Sequence, residues 1–165
     1  MRELDSYLND HLAGSVGALE LLDHWIKLCD GKPLAKFFAG LREEIEADQK
    51  TLRELMRTLG TKESSIRRAG AWVAEKFSRA SLAIAGDEIG GLNLVLALET
   101  IVMGITGKKL LWRALAAADV PRPGNIDFVE LEQRAEEQIA RVELERMRAA
   151  REAFSGNRAK AEGAK

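Results

Sequence analysis

The sequence predicts an all-α fold: a four-helix bundle with a long crossover connection that carries an extra short helix. Three observations predict it. Ala, Leu, Glu, Arg and Lys dominate, and no period-two run bounded by turns occurs, so nothing reads as a strand. Glycine and proline punctuation cuts the chain into four blocks of roughly 26 to 30 residues, each about 40 Å long as a helix. The links between blocks are short at 30–32 and 120–125 but long at about 60–90. Short links make antiparallel neighbours, whereas a long one lets the second and third long helices point the same way.

The elements follow in order. A first helix over 3–29 stops at Asp30-Gly31, and Pro33 opens the second, 33–59, which ends at Gly60. Thr61 to Ser65 offer N-caps for the crossover helix, 64–83, which Gly86, Gly90 and Gly91 break. The third long helix spans 91–118. Val120-Pro-Arg-Pro-Gly-Asn125 cannot be helical, because each proline restricts the residue before it. A fourth helix, 126–154, completes a single domain over 1–154, and the polar segment 155–165 reads as a disordered tail.

Composition bounds the class. With 165 residues, 46% of them hydrophobic, the chain can bury a core, which excludes intrinsic disorder, a collagen and a disulfide scaffold. Lys plus Arg (25) balances Asp plus Glu (26), so no net field draws it to nucleic acid or an anionic membrane. Cys29 is alone, and the N-terminus lacks the apolar run of a signal peptide. The longest apolar stretch, 90–107, carries Asn93 and Glu99 and reads as a buried helix rather than a membrane span. The expectation is a soluble cytoplasmic protein.

Rotation at 100° per residue locates the polar residues that fall on apolar stripes. In the first helix, Leu4, Leu8, Leu12, Leu19, Leu22, Ile26 and Cys29 enclose His11 and Ser15, while Glu20 and His24 lie on the opposite face. In the second, Asp48 lies among Leu34, Phe37, Leu41, Ile45, Leu52, Leu55 and Leu59. In the third, Leu92, Val95, Leu96, Val102, Met103 and Leu110 flank Glu99. The far side (Leu94, Leu98, Ile101, Ile105, Trp112) is apolar too, so this helix is expected to be buried nearly all round. The fourth stripe, Phe128, Leu131, Ala135, Ile139, Val142 and Ala149, is interrupted by Arg146 and flanked by Gln138. Helical rise puts His11 within about one turn of Asp48, and Glu99 within about two. Buried charges need partners, so His11 is expected to pair with Asp48 or Glu99, and Ser15, Gln138 or Arg146 to complete the cluster. The sharper alternative is a single metal (iron, zinc or manganese) held by His11, Asp48 and Glu99.

Three passages carry a family resemblance: Tyr7-Leu-Asn-Asp-His-Leu-Ala-Gly-Ser15, Trp72-Val-Ala-Glu-Lys76, and Leu98-Glu99 followed by Gly107-Lys-Lys-Leu-Leu-Trp-Arg-Ala-Leu115. Over residues 7 to about 153 the chain resembles a widespread bacterial family of uncharacterised function, grouped by shape with the ferritin-like superfamily. The resemblance implies a ferritin-like bundle, but the superfamily's di-iron ligands are a Glu on each of two helices and a Glu-x-x-His pair on the other two. Glu99 matches one single-Glu position, whereas Ser15 stands at the other. The second-helix motif would read Glu44-Ile-Glu-Ala47 or shift to Asp48, and the fourth Glu136-Glu-Gln-Ile139 or start at Glu137. Neither has a histidine, since both His residues lie in the first helix. The expectation is therefore a non-catalytic bundle without a complete di-metal site and without a cofactor, serving as a protein-interaction or oligomerising module, with homodimerisation resting on the two-sided third helix.

Other features read as structural. Cys29 lies about 27 Å along the helix axis from His11, too far for a nucleophile and its base. Gly86 to Gly91 lacks the spacing and the Lys-Ser/Thr of a phosphate loop. Gly14, Gly17, Gly104 and Gly107 are expected to let a neighbouring helix approach closely, or else to line an elongated cavity for an organic ligand. Trp25, Trp72 and Trp112 read as core or interface anchors, and Arg67-Arg68 and Lys108-Lys109 as solvated basic pairs.

Overall fold

A computed structural model describes residues 2–63 and 91–162. Among them the chain is all-helical, with four helices and no strand: α1 (Arg2–Leu28), α2 (Pro33–Thr58), α3 (Gly91–Ala117) and α4 (Phe128–Glu162). α1 packs along α2, α3 along α4, and α1 also touches α3, consistent with a four-helix bundle. The expected crossover helix, with Trp72 and Arg67-Arg68, lies outside the described residues.

The turns carry out the sequence punctuation. Gly31 has φ +74°, a left-handed conformation that lets α1 end and Pro33 start α2 within a few residues. Gly60, at φ +71°, ends α2 in the same way, and the Thr61 amide donates back to the Met56 carbonyl at 2.9 Å. Thr61 Oγ1 then donates to Asp5 Oδ1 at 2.5 Å, tying the end of α2 to the start of α1. Asp127 caps α4 by accepting from the Val129 and Glu130 amides at 2.9 and 3.3 Å, so α4 begins at Phe128, two residues after the expected 126. At its far end α4 runs to Glu162, into the segment read as a tail. No helix among the described residues is long and apolar enough to cross a membrane.

Core positions recur at the three- and four-residue spacing of a left-handed bundle: Leu41, Ile45, Leu52 and Leu55 in α2, and Leu94, Leu98, Ile101, Ile105, Trp112 and Leu115 in α3. Phe38 rather than Phe37 is the fully buried aromatic of α2. The apolar residues form two clusters. One gathers Trp25, Cys29, Phe38, Leu98 and Val142, with their neighbours. The other gathers Leu8, Leu12, Leu55, Trp112, Leu115 and Phe128. Trp25 and Trp112 are 1% exposed, one in each cluster, as core anchors should be.

α3 departs from the expectation of all-round burial. Its Leu94–Leu98–Ile101–Ile105 side is buried, but Leu92, Met103 and Leu110 on the opposite face are 55%, 66% and 49% exposed. The expectation of close helix approach is corrected at Gly14, Gly104 and Gly107. A Cβ at Gly14 or Gly104 would meet nothing within 4 Å, and one at Gly107 would only touch His11 Cε1 at 4.0 Å. These glycines do not mark tight helix crossings in this fold.

Candidate functional site

A polar layer separates the two apolar clusters. Each helix carries a polar side chain into its core stripe at this level: Ser15 between Leu12 and Leu22 in α1, Asp48 (with buried Gln49 beside it) between Ile45 and Leu52 in α2, Lys108 between Ile105 and Trp112 in α3, and Gln138 between Ala135 and Val142 in α4. Asp48 is 3% exposed and Gln138 fully buried. The Lys108 ammonium donates to Asp48 Oδ2 and to Gln138 Oε1, and the Arg134 guanidinium donates to Asp48 Oδ1. Gln138 Nε2 donates to Glu44 Oε2 at 3.0 Å and to Asp48 Oδ2 at 3.4 Å. Glu44 also receives two donors from Arg141, one at 2.9 Å. Toward α1, Gln49 Nε2 donates to Ser15 Oγ at 2.9 Å, and Arg53 to Gln49 Oε1 at 2.7 Å.

The electrostatics follow from this geometry. Burial pushes the Lys108 ammonium below the ordinary lysine value of 10.5, and the adjacent Asp48 carboxylate opposes that shift. The hydrogen bond from Arg141 holds the Glu44 carboxyl below its ordinary range. Two carboxylates (Asp48, Glu44) face three cations (Lys108, Arg134, Arg141). A further cation entering this layer would meet net repulsion.

The sequence-derived cluster is only partly assembled. Asp48 and Gln138 meet, and Glu99 meets Arg146 at 3.3 Å, but these contacts are separate. Glu99 is half-exposed at the α3–α4 edge, where Arg146 also holds Glu143. Ser15 joins through Gln49 rather than through His11. His11 packs edge-to-face on Tyr7 with ring centroids 4.6 Å apart. Burial lowers its pKa, with Asp10 the opposing carboxylate, so the expected pairing with Asp48 or Glu99 is replaced by an apolar setting. Among the described residues no three His, Cys, Asp or Glu side chains are grouped to hold a metal ion, so His11, Asp48 and Glu99 are not brought together as ligands.

Four of the acids weighed as metal ligands meet a basic partner instead: Glu44 with Arg141, Asp48 with Lys108 and Arg134, Glu99 with Arg146, and Glu136 with Lys109 at 3.5 Å. Lys108 is the residue that sequence reasoning misplaced. Its 15% side-chain exposure contradicts a solvated basic pair, and only Lys109 sits at the edge. The signal was present, since Ile101, Ile105, Lys108, Trp112 and Leu115 keep strict core spacing. Cys29 is fully buried and its thiol is pushed up by burial, as expected of a structural cysteine. Protein-family profiles, characterised proteins and solved structures were each compared with this chain, and none matches. The functional reading therefore rests on the residues themselves.

Proposed function

We propose that this chain is a non-catalytic, ferritin-like helical bundle that lacks a di-metal site and acts through protein contacts. The observation that carries the reading is the state of Asp48. The most buried carboxylate among the described residues is paired with Lys108 and Arg134, which occupy its lone pairs where a metal ion would need them. The half-open α3 face supplies the surface for contacts, and the balanced net charge of −1 favours a protein partner over nucleic acid or an anionic membrane. A ferritin-like crossover and a cytoplasmic setting belong to the same proposal.

Elemental analysis of protein purified without added metal, then dialysed against iron, zinc or manganese, tests it. The expected result is no stoichiometric metal. The Asp48→Ala, Lys108→Ala and Arg134→Ala proteins should remain metal-free as well. Stoichiometric metal in the wild-type chain, lost on Asp48→Ala, would overturn the reading in favour of a metal protein.

A further inference from the structure

We propose that the open face of α3 is the two-fold interface of a homodimer, in which α3 packs antiparallel against α3 of a second copy about Met103. The proposal rests on the interaction-module reading and deepens it by naming the partner as the same chain.

The face consists of Leu92, Leu96, Glu99, Met103, Gly107, Leu110 and Ala114, none of them fully buried. These residues lie within about 40° of Met103 around the helix at 100° per residue. Their spacing reads the same in both directions from Met103, which is the condition an isologous interface imposes on a single helix. An antiparallel copy would set Leu92 opposite the partner's Ala114, Leu96 opposite Leu110, and Glu99 opposite Gly107. Large residues thus meet small ones or a single well-matched leucine pair, and Met103 meets itself on the axis. On α3 itself the face carries one charge, Glu99, already held by Arg146 of its own chain, and the seam charges toward α4 are paired with one another as Lys109–Glu136, Arg113–Glu132 and Arg146–Glu143.

α4 widens the face. The ion pairs Glu99–Arg146, Lys109–Glu136 and Arg113–Glu132 fix an antiparallel register that sets Leu92 level with Phe154 and Met103 level with Val142, next to Leu144. Leu144 and Phe154 are 63% and 57% exposed, and Met147 Sδ lies 3.4 Å from Arg146 Nη2, beside the Glu99 pair. A strip one helix long and two helices wide, about 40 by 20 Å, comes to about 800 Å², the share each partner buries in a standard interface.

Sedimentation equilibrium of the full chain tests this, together with disulfide trapping. Wild-type protein should sediment at twice the mass of one chain. Met103→Lys places two ammonium groups together on the axis and should weaken the dimer by about a hundredfold or more, leaving the helical signal intact because Met103 is exposed. If that variant loses its helicity, Leu110→Lys decides the same point. Met103→Cys, oxidised with copper-phenanthroline, should give a disulfide-linked dimer in high yield, whereas wild-type protein with its buried Cys29 and the off-axis Leu144→Cys should give little. A monomer at every concentration overturns the proposal, whether another segment of the chain or a different protein covers the face. A dimer that survives both lysine variants overturns it as well. Metal analysis of the same samples keeps the readings apart: a metal-free monomer sinks the dimer alone, and a metal-loaded chain sinks the functional reading.

Discussion

Replacing Asp48 and Lys108 together should cost far less than replacing Asp48 alone. In Asp48→Leu the Lys108 ammonium, 15% exposed, keeps only the Gln138 carbonyl oxygen as an acceptor. Breaking a buried pair from one side costs about 3–5 kcal/mol, a large part of the 5–15 kcal/mol total stability of a typical domain. At roughly 2–4 °C per kcal/mol for a chain of this size, the midpoint should fall by about 10 °C. Lys108→Met should cost less, about 1–3 kcal/mol, since Arg134 and Gln138 still satisfy Asp48. The double variant leaves Arg134, 38% exposed, free to turn to water, and should lie within about 1–2 kcal/mol of wild type. Urea denaturation of the four proteins closes the cycle, and the two single costs together should exceed the double's by about 4–5 kcal/mol.

The pH dependence supplies an independent readout. Lys108 has a folded pKa below its unfolded value, so in the window between the two the unfolded chain binds more protons. Stability therefore rises with pH as the window is crossed toward 10.5. Removing Asp48 deletes the interactions that raise the folded value, so the window opens at lower pH. Asp48→Leu should then recover more stability on alkalinisation than wild type, beginning at lower pH. Additive single effects, or parallel pH profiles, would refute the claim that these two residues form one buried unit.

Further outcomes follow from the same geometry. His11 is favoured neutral in the fold, so stability is full above about 6.5 and falls as pH drops toward the depressed folded pKa, where the unfolded state takes the proton first. His11→Phe should flatten that acid limb in urea titrations, and an NMR titration of the ring should report the lowered value directly. Gly31→Ala must place a Cβ at φ +74° and should cost about 1–2 kcal/mol, read from the urea midpoint. Trp112→Ala should cost about 3–5 kcal/mol and should loosen the contact with Phe128, now stacked at 6.2 Å. Cys29 should react with a thiol reagent only as fast as the fold opens, matching the exchange of the slowest amides.

The four described helices and the turns that bound them were legible because Gly31, Pro33, Gly60 and the 120–125 segment act locally, through backbone conformations that need no partner. The site was legible only by halves. A stripe identifies the buried face of one helix but not which side chain stands opposite on another, so Asp48 and Gln138 could be singled out while their cation could not. Lys108 was masked by its neighbour Lys109, although the two lie 100° apart on the helix, which is enough to put one in the core and the other at the edge. Glu99 misled for the converse reason: its neighbours are apolar, but they line the open face of α3.

The layer also bears on why an ion pair stands at mid-bundle. Apolar heptads alone allow α3 to slide by seven residues against α2 and still bury leucines and isoleucines. Such a slip would set Asp48 against Ile101 or Leu115 and leave both it and Lys108 buried without a partner, which is far costlier than any packing defect. The pair thus penalises wrong registers more than it stabilises the right one. That is why the double apolar variant is expected to approach wild-type stability while losing discrimination between registers. Sharp, singly populated core resonances in that variant would show that the turns alone fix the register. Multiple sets would show that Asp48 and Lys108 do.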